Sequence, residues 1–363
     1  MIDGLFGNCR SSDWGRWEWQ YGQRIRTWSD LTCRMGLAPA EVHRCREAVR
    51  RYPVSITPYY LSLADWSAEE DPIRRQCMPD AEEIDCSAGG VPDPLKEEAC
   101  MAVPGLIHRY PDRCLLLVTN RCATNCRHCN RKRLWKKPDP SHRDGYYRRM
   151  IEYIAGTPRI REVILSGGDP LLLPEAAIEP LLRSLSAIPH VEVLRIGSRV
   201  PVVMPMRITE GLCRMLRKYR PLWFNTQFNA ACEVTPESAE ACDRLLSAGI
   251  PVSNQSVLLR GVNDNVAAMR ELLHALQRIS VRPYYLFQCD PVEGTDHLRV
   301  DLRKGIDLME EIRSTTSGLC VPLYVLDLPG SGGKLPLHPA FFPGDGDSQA
   351  KAYNFFDNLP KMT

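Results

Sequence analysis

Short apolar runs recur through the last two-thirds of the chain, at Cys114–Thr119, Glu162–Leu165, Val191–Ile196, Leu222–Asn225, Pro251–Val257, Tyr284–Phe287 and Val321–Leu326. Between them apolar residues return at a helical period, over Tyr146–Ala155, Ala176–Ser186, Glu210–Lys218, Ser238–Ala248, Ala267–Arg278 and Lys304–Arg313. The runs have the length and composition of buried strands. Strict alternation of such strands with helices implies right-handed crossovers, and therefore an α/β parallel sheet or barrel with its chemistry at the carboxyl ends of the strands.

The first hundred residues follow a different pattern. Trp14, Trp17 and Trp19 precede Gln23–Trp28, and Pro39–Arg50 carries apolar positions near a helical period. No basic strand accompanies the aromatics, so they read as packing rather than as a base-stacking platform. Gly89-Gly-Val-Pro-Asp-Pro94 reads as a loop. The expected organisation is an N-terminal helical segment over 1–100, a barrel domain over 101–340 and a short tail over 341–363. Arg109 and Arg113, four residues apart beside a proline, are either a solvated pair or a fork for a phosphate.

Composition narrows the function. A formal charge of +2 over 363 residues gives no polyanion signature and so no nucleic-acid or membrane-surface role. The first residues carry no basic flank with an apolar core, and no run approaches the roughly 20 apolar residues of a membrane span. The expectation is a soluble, cytoplasmic protein. Fifteen cysteines, an odd number in a long chain, argue for reduced thiols over a disulfide framework.

Three of those thiols stand out. Cys122, Cys126 and Cys129 lie within eight residues on a loop leaving the first predicted strand. A structural zinc site takes four closed ligands and a closed ferredoxin-type cluster takes four cysteines. Three cysteines leave one iron of a cubane open; the alternative is three unrelated reduced cysteines. The next strand ends in Ser166-Gly167-Gly168-Asp169, where paired glycines allow close backbone approach and Asp169 can cap the following turn. Ser198-Arg199, Asn225 to Asn229, Asn254-Gln255 and Gln288 to Asp290 put polar residues at successive strand ends. Each could brace the barrel, but a whole ring is better explained by a polar ligand. Finally, Lys334 closes Pro-Gly-Ser-Gly-Gly-Lys beyond the last strand. It is not a phosphate-binding P-loop, since Leu335 follows it. A lysine so placed is suited to Schiff-base chemistry, or else is an exposed loop lysine.

The order of these motifs, together with Asn254-Gln-Ser-Val-Leu-Leu-Arg-Gly-Val-Asn-Asp264 and Arg282-Pro-Tyr-Tyr285, resembles the lysine 2,3-aminomutase family of radical S-adenosylmethionine (SAM) enzymes. The resemblance runs from about Trp14 to about Pro339. It implies a partial (β/α)6-type radical SAM barrel. It implies that Cys122, Cys126 and Cys129 hold a [4Fe-4S] cluster and that Ser166, Gly167, Gly168 and Asp169 border the methionine moiety of SAM. Lys334 is then the attachment point of pyridoxal 5′-phosphate (PLP). Arg109, Arg113, Gln227 and Gln255 lie around PLP or the radical site, with Gln227 where the lysine enzymes typically show His. Arg131 matches the residue that meets the substrate carboxylate. The implied reaction is radical migration of nitrogen from C2 to C3 of an amino acid, giving a β-amino acid. An electron donor such as flavodoxin or ferredoxin and a homo-oligomer are implied with it.

Departures bear on substrate and metal. Asn265 stands where the longer aminomutases place an inter-subunit zinc cysteine, and no cysteine follows Cys320, so no zinc is expected. Asp290 and Asp327 match the carboxylates that hold the distal ammonium in the lysine enzymes. A closed carboxylate pair requires a cation. The substrate is therefore expected to be a basic L-α-amino acid. Glu293 adds a third acid that would suit a guanidinium, which sets L-arginine level with L-lysine unless Glu293 points to solvent. Competing functions are a lysine-modifying relative associated with elongation factor P, a non-mutase iron–sulfur protein, and a nucleic-acid binder resting on Arg127, Arg131, Lys132, Arg133, Lys136 and Lys137. That last charge run is expected to be a solvated face.

Overall fold

A computed structural model of the protein describes residues 10–35, 39–68, 70–85 and 89–338. One ten-stranded sheet organises the chain, in the order β1 Met101–Val103, β2 Leu106–Tyr110, β3 Arg113–Thr119, β4 Glu162–Gly167, β5 Val193–Gly197, β6 Leu222–Thr226, β7 Val252–Leu258, β8 Arg282–Gln288, β9 Leu323–Asp327 and β10 Lys334–Pro336. Strands β3 through β9 pair in parallel, each with its sequence neighbour. The edges β1–β2, β2–β3 and β9–β10 are antiparallel. Helices Tyr146–Ala155, Glu175–Ser186, Glu210–Arg217, Pro236–Ser247, Val266–Arg278 and Leu302–Thr315 make the crossovers. The sheet order is linear, so the barrel is partial and open.

Each strand divides its faces. In β4, Val163 and Leu165 turn outward into the same core as Leu182 and Ile154, whereas Glu162, Ile164 and Ser166 line the interior cavity. The outward face buries apolar area against the helices, at roughly 25 cal/mol per Å². The inward face mixes polar with apolar side chains and leaves room for a ligand. Helix starts are fixed locally: Thr209, Thr235, Asn265 and Asp301 each accept a backbone N–H of the first turn. Asn265, at the position compared with a zinc cysteine, is thus a helix cap with its side-chain oxygen 2.9 Å from the Ala268 nitrogen.

The N-terminal helices are joined to the barrel by a shared core. Ile25 and Ile56 form an antiparallel bridge, and both belong with Tyr60, Ile73 and Cys77 to the cluster that contains Leu116, Val163 and Phe224. Three strands were not foreseen. β1 and β10 are three residues each, too short to show a period, and β2 is interrupted by His108 and Arg109. Lys334 accordingly begins a strand, opposite Asp327 of β9, instead of riding on a free loop. The tail beyond residue 338 lies outside the described residues. Among the described residues no helix is long and apolar enough to cross a membrane.

Candidate active site

The cysteine loop leaves β3 and is gripped by the end of β4. Gly168 N donates to Thr119 O at 2.6 Å and Asp169 N to Arg121 O at 2.7 Å. A Cβ on Gly168 would lie 2.2 Å from the Arg121 carbonyl oxygen, and Gly167 has φ +131°. The paired glycines therefore serve close packing on the cysteine loop's own backbone. From the other side, Arg24 Nη1 donates to Cys122 O at 2.9 Å and Ser55 Oγ to Ala123 O at 2.9 Å.

Cys122, Cys126 and Cys129 all line one cavity of ≈ 610 Å³. Burial, then repulsion from Cys129, Asp169 and Cys126, pushes the Cys122 thiol up; burial and Cys126 push Cys129 up to about 11. Half-buried sulfurs brought together on one loop suit a shared cationic iron centre. Among the described residues no group of three or more His, Cys, Asp or Glu side chains is drawn together around a single ion. Arg199 Nη1 donates to the Cys126 sulfur at 2.7 Å. Its other nitrogens reach Gln227 O, Tyr60 Oη, Gln76 Oε1 and Glu233 Oε1 at 2.6 to 3.1 Å. The helices before the barrel thereby hold a cation on the cluster loop.

Asp169 braces the same region. Its carboxylate accepts from Ser198 Oγ at 2.8 Å, Leu171 N at 3.0 Å and Arg199 N at 2.9 Å, while burial pushes it up to about 6. It is both the cap of the turn after β4 and a tie to β5.

Lys334 stands at the far end, its Nζ 3.3 Å from Tyr110 Oη and 3.4 Å from Asp327 Oδ2. The rings of Tyr110, Tyr285 and Phe287 surround it at 5.4 to 6.0 Å. Gly333, at φ +74°, lets the chain turn back so that Lys334 enters β10. Arg109 secures that turn by donating to the carbonyls of Gly330 and Leu328 and to Asp327 Oδ1 at 3.2 Å. Its fork is thus directed at the protein. Arg113 stacks on Tyr110 at 3.7 Å, with an ion pair to its neighbour Asp112 through Nη1. It retains the donors a phosphate needs. An amine, aromatic walls and a guanidinium in one cavity fit PLP.

Between these ends lie the carboxylates. Burial first, and Asp327 second, push Asp290 up to about 7; Glu97 acts in the same direction, and Asn130 and Lys334 oppose it. Asn130 Nδ2 donates to Asp290 Oδ2 at 3.1 Å. Arg131 is clamped bidentately by Glu97, at 2.7 Å from Nη2 and 3.0 Å from Nε, which leaves its Nη1 edge beside Ser166 Oγ at 3.2 Å. Burial alone would raise the Glu97 carboxyl, but Arg131 and Arg133 hold it at about 2.

Two expectations are corrected. Glu293 does not line the cavity; it pairs with Arg51 of helix Pro39–Arg51, which satisfies its charge outside. The basic run is not one solvated face: Arg127 and Lys132 are buried against Glu83, at 2.6 and 3.0 Å, and Arg133 pairs with Glu97. These cations are used internally, so they offer no nucleic-acid surface. Replacing Glu83 by Leu would bury both without a counter-charge. The expected loss is about 3–5 kcal/mol, measured by urea unfolding of the variant beside the parent.

The ring of polar strand ends splits by role. Asn254 bonds Phe228 N at 2.7 Å and Ser256 Oγ at 2.7 Å and is bracing, while Gln288 bonds Val300 O at 2.7 Å and also borders the cavity. Asn225, Gln227 and Gln255 line the cavity, as do Arg109, Arg113, Arg131, Ser166, Gly167, Gly168, Asp169, Asp290, Asp327 and Lys334.

Comparison with known proteins decides which chemistry this geometry serves. Residues 116–273 match the radical SAM superfamily, and residues 309–356 match the family described as lysine-2,3-aminomutase. An L-lysine 2,3-aminomutase of Clostridium subterminale is 46% identical over 97% of this chain and 84% of its own. That of Bacillus subtilis is 44% identical over 97% and 74%. The chain belongs to the lysine 2,3-aminomutase family. A glutamate 2,3-aminomutase of Clostridioides difficile, 39% identical over 98% of this chain and 84% of its own, shows that substrate differs among relatives. As a lysine 2,3-aminomutase family member the chain is an isomerase of the radical SAM type, whose cofactors are a [4Fe-4S] cluster, SAM and PLP. Arg199 and Tyr285 stand inside sequence motifs that attach no role to them, and Asn130, Glu97 and Tyr110 carry no signal of their own. A neutral Asn or a lone Glu carries no periodic or spacing signal; only the fold brings these side chains to the cavity.

Proposed function

We propose that the chain is a PLP-dependent 2,3-aminomutase of a basic L-α-amino acid, L-lysine ahead of L-arginine. The observation that carries the reading is the carboxylate pair: Asp290, raised to about 7 by burial and by Asp327, sits in the cavity that holds Lys334. A cationic side chain relieves both effects, whereas a glutamate side chain would add a third negative charge. Asp327 also meets Arg109 and Lys334, so Asp290 is the acid chiefly left for one ammonium, and Glu293 is engaged by Arg51 outside the cavity. That count of acids supports lysine ahead of arginine.

In this reading Arg131 presents its Nη1 edge, with Ser166, to the α-carboxylate. Arg113 takes the phosphate, and Arg109 keeps the Lys334 turn in place. Lys334, beside Tyr110 Oη and Asp327, would hold PLP through its Nζ. Leu95, Leu134 and Trp135 wall the cavity and help exclude water. When bound, the cluster with SAM supplies hydrogen-atom abstraction and PLP supplies the π-system across which nitrogen moves. An external one-electron donor such as flavodoxin or ferredoxin, and a homo-oligomer, complete the proposal.

The test is product analysis of reduced, anaerobic enzyme offered L-lysine, L-arginine and L-glutamate in parallel. β-Lysine as the main product is expected; turnover of glutamate with both basic amino acids refused would overturn the reading. Glu293→Leu is expected to leave the lysine-to-arginine ratio within about threefold of the parent, as for a side chain outside the site. Competition between the two substrates in one reaction measures that ratio.

A further inference from the structure

We propose that Asn130 is a positioning residue for side-chain selectivity, its amide aiming the Asp290 carboxylate at the distal cation of the substrate. The inference rests on the basic-substrate reading above. Asn130 follows Cys129 directly, lines the cavity, and places Nδ2 3.1 Å from Asp290 Oδ2. The main chain of Asp290 is fixed separately, its carbonyl accepting from Val292 N at 2.8 Å and Thr295 Oγ1 at 3.3 Å. Among the described residues, Asn130 is the donor that holds its side chain.

The groups facing Asp290 make that tether consequential. Asp327 comes from β9, Glu97 from the segment before β1, and Lys334 from β10. Two of the three repel the carboxylate, and the third is an amine already 3.4 Å from Asp327. A neutral donor fixes Oδ2 without cancelling the charge, which leaves Oδ1 for the substrate. An arginine or lysine at position 130 would consume the anion instead. Removing the donor frees Asp290 to turn toward Lys334 and away from the substrate.

Asn130 is itself anchored. Arg133 Nη1 donates to Asn130 O at 3.0 Å, and Lys132 Nζ donates to Gly294 O at 2.7 Å, which joins the cysteine loop to the loop that carries Asp290. The loop that holds the cluster thus also sets substrate choice.

The experiment titrates PLP-loaded, unreduced enzyme with L-lysine and with L-norleucine, which lacks the distal amine, and follows the cofactor absorbance. Parent, Asn130→Leu, Asn130→Ser and Asp290→Asn are compared, with iron content measured for each. The parent is expected to favour lysine. Asn130→Leu is expected to lose about tenfold or more in lysine affinity, the size of a hydrogen bond to a charged group. Norleucine binding and iron content should stay close to the parent's, Asp290→Asn should show the same pattern, and Asn130→Ser should recover part of the loss. Asn130→Leu keeping the lysine preference while Asp290→Asn abolishes it would overturn the inference. So would an equal loss for both ligands together with loss of iron, which marks a structural role. A parent that does not favour lysine would instead overturn the basic-substrate reading, and the inference with it.

Discussion

Substituting Ser for any one of Cys122, Cys126 and Cys129 is expected to abolish reductive cleavage of SAM, and the triple substitution to remove the iron as well. Three thiols give no spare ligand, and the radical SAM match spans the loop that carries them. The cavity also contains Arg199, which reaches the Cys126 sulfur at 2.7 Å. Iron and sulfide content after anaerobic reconstitution, and 5′-deoxyadenosine formed on reduction, are the two readouts. Each single variant should yield no 5′-deoxyadenosine above background. A triple variant that retained four irons and cleaved SAM would show that the cluster is held elsewhere, and Cys77, buried in the adjacent core, would then be the thiol to examine.

The second large effect is expected at Lys334. The Lys334→Ala variant should lose the absorbance near 400 nm of a PLP-bound lysine, and borohydride reduction should attach no cofactor to the chain. Product formation should fall by about 10³-fold or more, within the range that a positioned catalytic side chain contributes. The residue is placed for this by three contacts: Tyr110 Oη at 3.3 Å, Asp327 Oδ2 at 3.4 Å, and the aromatic walls. Peptide mapping after borohydride reduction of the parent identifies the modified lysine. Lys132, the other lysine buried near the cavity, is occupied by Glu83 and Gly294, so labelling there would contradict the assignment.

Both effects concern residues that the sequence already marked, and the reason is physical. Alternating apolar runs and helical periods fix seven parallel strands because each strand must bury one face against a crossover helix, as Val163 and Leu165 do. The carboxyl ends of such strands carry the chemistry, which placed the cysteine loop and the Ser166–Asp169 segment correctly. The antiparallel edges were not legible. β10 consists of Lys334, Leu335 and Pro336, and its pairing with Asp327 depends on a turn closed by Gly330 and Gly333 and held by Arg109 across the barrel opening.

Charge was the least legible property. Glu293 and Asp290 are three residues apart on one loop, and nothing in their spacing distinguishes an acid that meets Arg51 from one that meets the cavity. The run Arg127 to Arg133 looks like a solvated face until Glu83 and Glu97, far away in sequence, are seen to enclose it. Long-range ion pairs have no local signature. They are set by the fold, and with them the number of acids left to meet a substrate.

The central claim is that this cavity moves nitrogen within a basic amino acid. The most direct measurement supplies L-lysine labelled with ¹⁵N at the α-amino group, to reduced enzyme with SAM and PLP, in buffer containing unlabelled ammonium. β-Lysine that keeps the ¹⁵N, now on C3, is the expected result. Cleavage of SAM without any β-amino acid, or β-lysine whose label has been exchanged for ammonium from the buffer, would contradict it.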